Sequence, residues 1–381
     1  MRSEKIMVRV SNNEKSMFDI VAKNEGLATS TWVRRELLRM ARGHAAQSKS
    51  QNITDKPNLL SLFCGSGGLD QGFKQADFHT SIAIDNDQEC INTFMLNHPE
   101  STAKLADITR LSLEQLDNWA GGRFNPIGVL GGPPCQSFTI SNVYQSENDP
   151  RHKLPEAYAA LLAKLNRRSP ISFFVFENVP GLLGEKHKHR YLRFKSLFED
   201  AGFKIYEEQL DAKDYGVPQE RERIFIVGIN RNKHPGKVWT PPMPEGKINT
   251  VKDTIGDLPE PVFFDSGLDP QNFPVHSNHW CLVPRSNKFG KLKEGHMNGR
   301  SFRTLSWDRP SWTVAYGHRE VHVHPKGHRR LSIYEAMLLQ SFPKTYRLTG
   351  TLSDQIRLVS DAVPPRLSFH IAQSVRRSLA I

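Results

Sequence analysis

The segment Gly131-Gly132-Pro133-Pro134-Cys135-Gln136-Ser137 sets a cysteine in a polar loop that directly follows an apolar run. Two consecutive prolines, each with φ held at about −65°, stiffen that loop. An isolated cysteine is most often a small buried hydrophobe. A cysteine presented on a rigid Gly/Pro loop at the end of a strand fits a nucleophile better. Further on, Phe174-Val175-Phe176-Glu177-Asn178-Val179-Pro180 ends another apolar run in a carboxylate. It could be a capping or surface acid, yet Glu177 in that setting suggests a held general acid.

Two more clusters carry functional groups. Leu60-Ser61-Leu62-Phe63-Cys64-Gly65-Ser66-Gly67-Gly68 is an apolar run entering a glycine-rich turn, where glycine permits positive φ and close approach to a ligand. Ile82-Ala83-Ile84-Asp85 then ends in an acid of the kind that takes ribose hydroxyls in nucleotide-binding sheets. A tight turn without a ligand is an equal reading of the glycines alone. The spacing is not GxGxxG, so an adenosyl ligand without phosphates fits better than a dinucleotide. Gln219-Glu220-Arg221-Glu222-Arg223 places Arg221 and Arg223 on one face if the segment is extended. By itself this could be a salt-bridged sheet edge.

The elements that must position these groups are legible as a pattern. From Leu59 to about Ile229, the apolar runs LLSLF, SIAID, PIGVLGG, SFFVFENV and RIFIVGI alternate with helical stretches such as Glu156–Leu165 and Tyr191–Ala201. That alternation predicts an α/β fold with a parallel sheet and crossover helices, whose sites lie beyond the carboxyl ends of the strands. Residues 231–307 are Pro- and Gly-rich without a helix period and read as a second, irregular lobe. Within 276–330 there are eleven Lys/Arg, three acids and seven histidines. Residues 308–381 regain a helical pattern, in IYEAMLLQSF and RLSFHIAQSVRRSLAI, and the end of this segment is expected to complete the catalytic domain of 59–230.

Ahead of a polar linker at 45–58, residues 1–44 read as a strand and two helices. Ile6, Val8 and Val10 alternate with Lys5, Met7 and Arg9. Ser11 is placed to cap a helix carrying Met17, Ile20 and Val21, which Gly26 ends.

The 381 residues exceed one ordinary domain, and 38% hydrophobic residues suffice for a sizeable core. No apolar stretch approaches a membrane span and no signal-peptide pattern opens the chain, so a cytoplasmic protein is expected. Cys64, Cys90, Cys135 and Cys281 are too widely spaced for a disulfide framework or a cysteine-rich zinc site. His318, His322, His324 and His328 fit no familiar zinc spacing and are read as facing solvent or DNA, with no metal. A net charge of +11 points to a polyanionic partner, nucleic acid first.

Taken together, the four clusters resemble the cytosine-C5 methyltransferase family, from about Leu59 to the C-terminus and in the family's usual order. The likeness is most specific at PPCQS, ENV and QxRxR. It implies a Rossmann-like methyltransferase sheet and S-adenosyl-L-methionine as methyl donor. Donor contacts would be Phe63, Gly65, Gly67, Asp85, Asp107 and Pro134. Cys135 would be the nucleophile and Glu177 the acid, with Arg221 and Arg223 beside it. The segment HPKGHRRLSIYEAMLLQSFP resembles the family's stretch after the target-recognition region. One departure stands out: the family's usual Gly-Asn before (A/S)V is Ser360-Asp361 here, where Asp361 would still accept a hydrogen bond.

The chemistry accounts for these residue types. A thiolate adding at cytosine C6 makes C5 nucleophilic, and a proton or strong hydrogen bond at N3 makes that addition feasible. Arg221 would orient the ring carbonyl and support Glu177. The base must be flipped out of double-stranded DNA, and the basic lobe would supply phosphate contacts. A restriction–modification role is expected. Transfer RNA as substrate, an inactive DNA-binding regulator and a nucleotide-dependent oxidoreductase are the alternatives. Intact Cys135 and Glu177, the basic lobe and the missing GxGxxG argue against them. The strand–helix–helix order of residues 1–44 resembles the ribbon-helix-helix repressors, which implies a homodimer placing Lys5, Met7 and Arg9 against DNA bases.

Overall fold

The computed structural model describes residues 10–24, 29–30, 33, 56–134, 153–264, 268–297, 302–313 and 322–381. The chain divides into two compact units, Met1–Lys56 and Pro57–Ile381. In the first, helix α1 (Asn12–Asn24) starts with a reciprocal cap. The Ser11 hydroxyl accepts the Glu14 N–H at 3.3 Å, and the Glu14 carboxylate accepts the Ser11 N–H at 2.7 Å. Met17, Ile20 and Val21 are exposed. The expected strand with Lys5, Met7 and Arg9 lies outside the described residues, as does most of the second helix.

The second unit follows the order β1 (Asn58–Leu62), α2 (Gly68–Gln75), β2 (His79–Asp85), α3 (Gln88–Asn97), β3 (Thr102–Leu105), α4 (Leu113–Ala120), β4 (Gly128–Gly131), α5 (Leu154–Arg168), β5 (Phe173–Asn178), α6 (Lys188–Asp200) and β6 (Phe203–Asp211). The short β7 (Gln219–Glu220) and the long β8 (Glu222–Asn230) come next. These build a seven-stranded sheet in the order β3-β2-β1-β4-β5-β8-β6.

The sheet is not wholly parallel, as the alternation had suggested. β8 runs antiparallel to both neighbours, β5 and β6. A parallel crossover needs about a dozen residues or more, and only residues 212–221 join β6 to β8. The edge strands β3 and β6 had no apolar run to announce them, because an edge strand need not be buried on both faces.

β5 is buried on both faces, which explains its unbroken apolar run. Phe174 and Phe176 face Leu162, Phe194 and Phe198 of α5 and α6. Phe173 and Val175 face the opposite layer with Phe73, where Leu367, Ile371 and Val375 also lie. Those last three belong to α10 (Pro365–Leu379), the final helix of the chain. The end of the chain therefore covers the sheet beside α2, as the helical pattern there predicts.

The irregular lobe contains a helix its composition concealed, α7 (Val251–Ile255), together with β9 (Val262–Phe263), β10 (Trp280–Cys281) and β11 (Ser311–Trp312). Five residues are too few to display a period. Val251 and Ile255 pack with Met337 and Leu339 of α8 (Ile333–Leu339) and with Ile356 and Val359 of α9 (Leu352–Asp361).

The α2–α10 contact depends on small residues. A Cβ at Gly72 would lie 2.4 Å from both the Pro365 carbonyl oxygen and the Phe369 nitrogen, and one at Gly68 2.3 Å from the Val363 oxygen. The glycine-rich segment thus serves helix packing as well as its turn. Gly72→Ala should lower stability by about 2–3 kcal/mol. Gly122→Ala, where nothing lies within 4 Å of the new carbon, should change it by about 0.5 kcal/mol or less. Denaturant unfolding of both variants checks the contrast, and equal effects would refute the packing role.

Candidate active site

A cavity of about 310 Å³ opens beyond the carboxyl ends of β1, β2, β4 and β5. β1 delivers Phe63 into it at φ 55°, a left-handed conformation uncommon for an aromatic residue, followed by Gly65 at φ 53°. The Gly65 N–H donates to Asp85 Oδ2 at 2.9 Å, which ties the turn to the end of β2. Burial raises the Asp85 carboxyl above the usual aspartate range, against the pull of that hydrogen bond.

Gly67 does not line the cavity. A Cβ there would meet the Tyr346 hydroxyl at 2.6 Å and His98 Nε2 at 3.0 Å. Tyr346 donates its hydroxyl hydrogen to the Ser66 carbonyl oxygen, so the turn is clamped from behind.

β4 and β5 build the other wall. The Asn178 amide donates to the Pro133 carbonyl at 3.2 Å. A Cβ on Gly132 would sit 2.8 Å from Glu177 Oε2, so only glycine lets the loop pass this close to the acid. Pro134 lines the cavity. Cys135 follows it in sequence and lies outside the described residues.

Glu177 is buried and its Oε1 pairs with Arg223 Nε at 2.9 Å. Burial pushes its carboxyl above the usual glutamate range; Arg223 and Arg221 oppose that, while Asp361 adds to it.

Arg221 differs from expectation. Its Nη2 donates to the carbonyls of Ser360 at 2.7 Å and Ala362 at 2.9 Å, at the end of α9, while the direct ion pair with Glu177 belongs to Arg223. The reason is a break in the strand: β7 ends before Arg221 and β8 begins after it. The Arg221 N–H turns to Asp211 Oδ1 at 2.9 Å.

Phe63, Gly65, Asp85, Pro134 and Asp361 all line the cavity. Asp107 does not line it: it caps a short turn, accepting the Thr109 N–H at 2.9 Å, and is half exposed. Two residues that sequence reasoning missed do face the cavity, Asp87 and Arg357. Arg357 Nη2 lies 3.0 Å from Asp87 Oδ2. Burial opposes ionisation of Asp87, but the Cys90 N–H and Arg357 prevail and hold its carboxyl below the usual range. Asp87 also caps α3, accepting from the Glu89 and Cys90 N–H groups. An aspartate just before a helical apolar pattern is the signal that could have found it. For Arg357 the signal is the Thr351/Asp354 capping box opening α9.

Two histidines expected to face solvent or DNA are buried instead. His322 meets the Thr313 carbonyl at 3.2 Å and the edge of Trp312, and His324 packs edge-on against Trp307. Burial lowers each to about 4. His328 lies 3.2 Å from Glu260, and His318 is outside the described residues. Among the described residues no group of three or more His, Cys, Asp or Glu could hold a metal ion, and no helix is long and apolar enough to cross a membrane.

The described cavity wall carries the acids Asp85, Asp87, Glu177 and Asp361 against the bases Arg223 and Arg357. That balance favours a cationic ligand over a polyphosphate. It also generates a pH test. Because folding raises the Glu177 carboxyl, the stability it contributes is full below the ordinary glutamate range and is lost as pH rises through the raised native value. Arg223→Gln should deepen that loss, with a deficit on the order of 3 kcal/mol at pH 8 and less at pH 5. Adding Glu177→Gln should erase the pH dependence of the deficit. Denaturant midpoints at the two pH values check this.

A family model for C-5 cytosine-specific DNA methylases matches residues 58–377. Type II methyltransferase M.MthTI of Methanothermobacter thermautotrophicus is 31% identical over 345 residues, covering 84% of this chain and 98% of that protein. Type II methyltransferase M.FnuDI of Fusobacterium nucleatum is 31% identical over 343 residues, covering 84% and 94%. Among solved structures, one described as a prophage-encoded DNA modification methyltransferase of E. coli superposes with a TM-score of 0.71 at 24% identity, covering 85% of this chain and 99% of that one. The Dnmt2 methyltransferase of S. pombe superposes at 0.59 with 17% identity, covering 86% and 100%. These two structural likenesses speak for the fold alone. The extent of the family match and the identity to two nearly full-length relatives settle the assignment: this chain belongs to the C-5 cytosine-specific DNA methylase family and methylates cytosine at C5 in DNA.

Proposed function

We propose that the enzyme uses S-adenosyl-L-methionine to methylate a cytosine flipped out of a specific duplex sequence, with Cys135 as nucleophile and Glu177 as acid. The observation that carries this reading is the join between β4 and β5. Asn178 holds the Pro133 carbonyl while Glu177, one residue earlier, pairs with Arg223. The loop leading into Cys135 and the acid are thereby tied to one strand end.

The acidic cavity suits the donor, which carries a sulfonium cation and no phosphate. Phe63, Gly65, Asp85, Pro134 and Asp361 would hold it, joined by Asp87. Asp107 and Gly67 would act less directly, as turn residues. When bound, S-adenosyl-L-methionine supplies an electrophilic methyl group. The chain's own residues do the rest. Cys135 adds its thiolate to C6 of the base. Glu177, kept protonated more readily by burial, hydrogen-bonds N3 and so favours that addition. Arg223 orients Glu177, and Arg221 holds the end of α9 against the site. Loss of the C5 proton then releases Cys135.

Unstacking the target base costs a few kcal/mol. Phosphate contacts from the lobe at 231–307 would offset it, and that lobe is assigned target recognition, with 308–381 returning to the catalytic domain of 59–230. The type II names of M.MthTI and M.FnuDI support a protective role in a restriction–modification system, carried out in the cytoplasm. For residues 1–44, joined by the linker at 45–58, the exposed Met17, Ile20 and Val21 on α1 support a homodimeric ribbon-helix-helix module that binds an operator. Lys5, Met7 and Arg9 are assigned to its DNA contacts.

Cys135→Ser should abolish methyl transfer while DNA binding persists, and DNA containing 5-fluorocytosine should trap the wild-type enzyme covalently. Full activity in Cys135→Ser would overturn the mechanism. In the full-length protein, Arg9→Ala should weaken footprinting of a two-fold symmetric site by about tenfold or more, without changing methylation. A monomer by sedimentation with no sequence preference beyond its methylation site would refute the module's role.

A further inference from the structure

We propose that Asp361 is a positioning residue that competes with Glu177 for the arginine pair Arg221 and Arg223. Asp361 stands where the family usually has asparagine, so this chain carries a second carboxylate at the site. The inference rests on the reading of Glu177 as the acid.

Three observations converge. Glu177, Arg223 and Asp361 line the same cavity. Arg221 donates to the carbonyls of Ser360 and Ala362, the two residues that flank Asp361, and so fixes its backbone beside the guanidinium. Asp361 is itself largely buried, and the charged groups facing it are Arg221, Arg357 and Arg223. Those facing Glu177 are Arg223, Arg221 and Asp361. Arg357 is already paired with Asp87 at 3.0 Å.

The charge count then decides the outcome. With asparagine at 361, two guanidinium groups would act on Glu177 alone and hold it ionised, leaving no proton for the base. With aspartate, each arginine has a carboxylate of its own. Asp361 draws Arg221, Glu177 keeps Arg223, and the repulsion between the two acids favours the protonated form of Glu177. Asp361 thus acts on the reaction through Glu177.

The test reads that proton directly. Infrared pH titration of the full-length enzyme, taken as the difference from Glu177→Gln, isolates the protonated-carboxyl band of Glu177. In Asp361→Asn this band should disappear at lower pH than in wild type. The alkaline limb of kcat/KM on duplex DNA should move the same way, with a fall of roughly three- to tenfold at pH 8. Asp361→Glu, which restores the charge, should recover much of both. If Asp361→Asn alters donor affinity by calorimetry while the Glu177 band titrates as in wild type, Asp361 is only a donor contact and the proposal fails. If the band moves but the rate profile does not, the competition for arginines stands and the acid role of Glu177 falls.

Discussion

A carboxylate at the end of a strand buried on both faces is the demand around which this molecule is arranged. Burying an ionised group costs several kcal/mol even after relaxation. Glu177 meets that penalty with one close partner, Arg223 at 2.9 Å, and with a second arginine whose hydrogen bonds go elsewhere. The arrangement keeps the acid near the balance between its two protonation states, where proton donation to a bound base is possible. It also explains why β8 must lie directly beside β5. Only a strand adjacent to the acid delivers an arginine to it, and the antiparallel direction puts the start of β8 at the end of β5.

The same economy appears where α9 ends. The last carbonyls of a helix have no partner within it. Here the Ser66 hydroxyl takes that of Leu358, the Gln340 amide takes that of Val359, and Arg221 takes those of Ser360 and Ala362. A guanidinium at this position also suits the negative end of the helix dipole. Three distant parts of the chain therefore converge on one helix terminus that forms a wall of the cavity.

What was legible in the sequence was whatever local pattern encodes. The apolar run of β5 announces its double burial, and the Gly/Pro loop after β4 announces rigidity. The acid after each run announces a strand end at a site. The direction of β8 was not legible, since it depends on the length of a connection whose elements are irregular. Nor were the different duties of Arg221 and Arg223. Two positions apart on an extended chain they look equivalent, but Arg221 is defined by carbonyls 139 and 141 residues away. The pairing of Asp87 with Arg357 is likewise a contact across the whole domain. His322 and His324 were misread for a related reason: their burial comes from Trp312 and Trp307, which no local pattern links to them.

The placement of α10 bears on how the enzyme comes into being. Its side chains fill the layer over Phe173 and Val175, and its backbone presses on Gly72 of the helix that follows the glycine turn. During synthesis the segment with the glycine turn emerges first, and its covering helix emerges last. Until residues near 379 have left the ribosome, the sheet has one bare apolar face and the turn has no support. A nascent or prematurely terminated chain therefore carries the reactive loop without the layer that steadies it. Competence is acquired late and all at once, and fragments expose an apolar surface that quality-control proteases recognise.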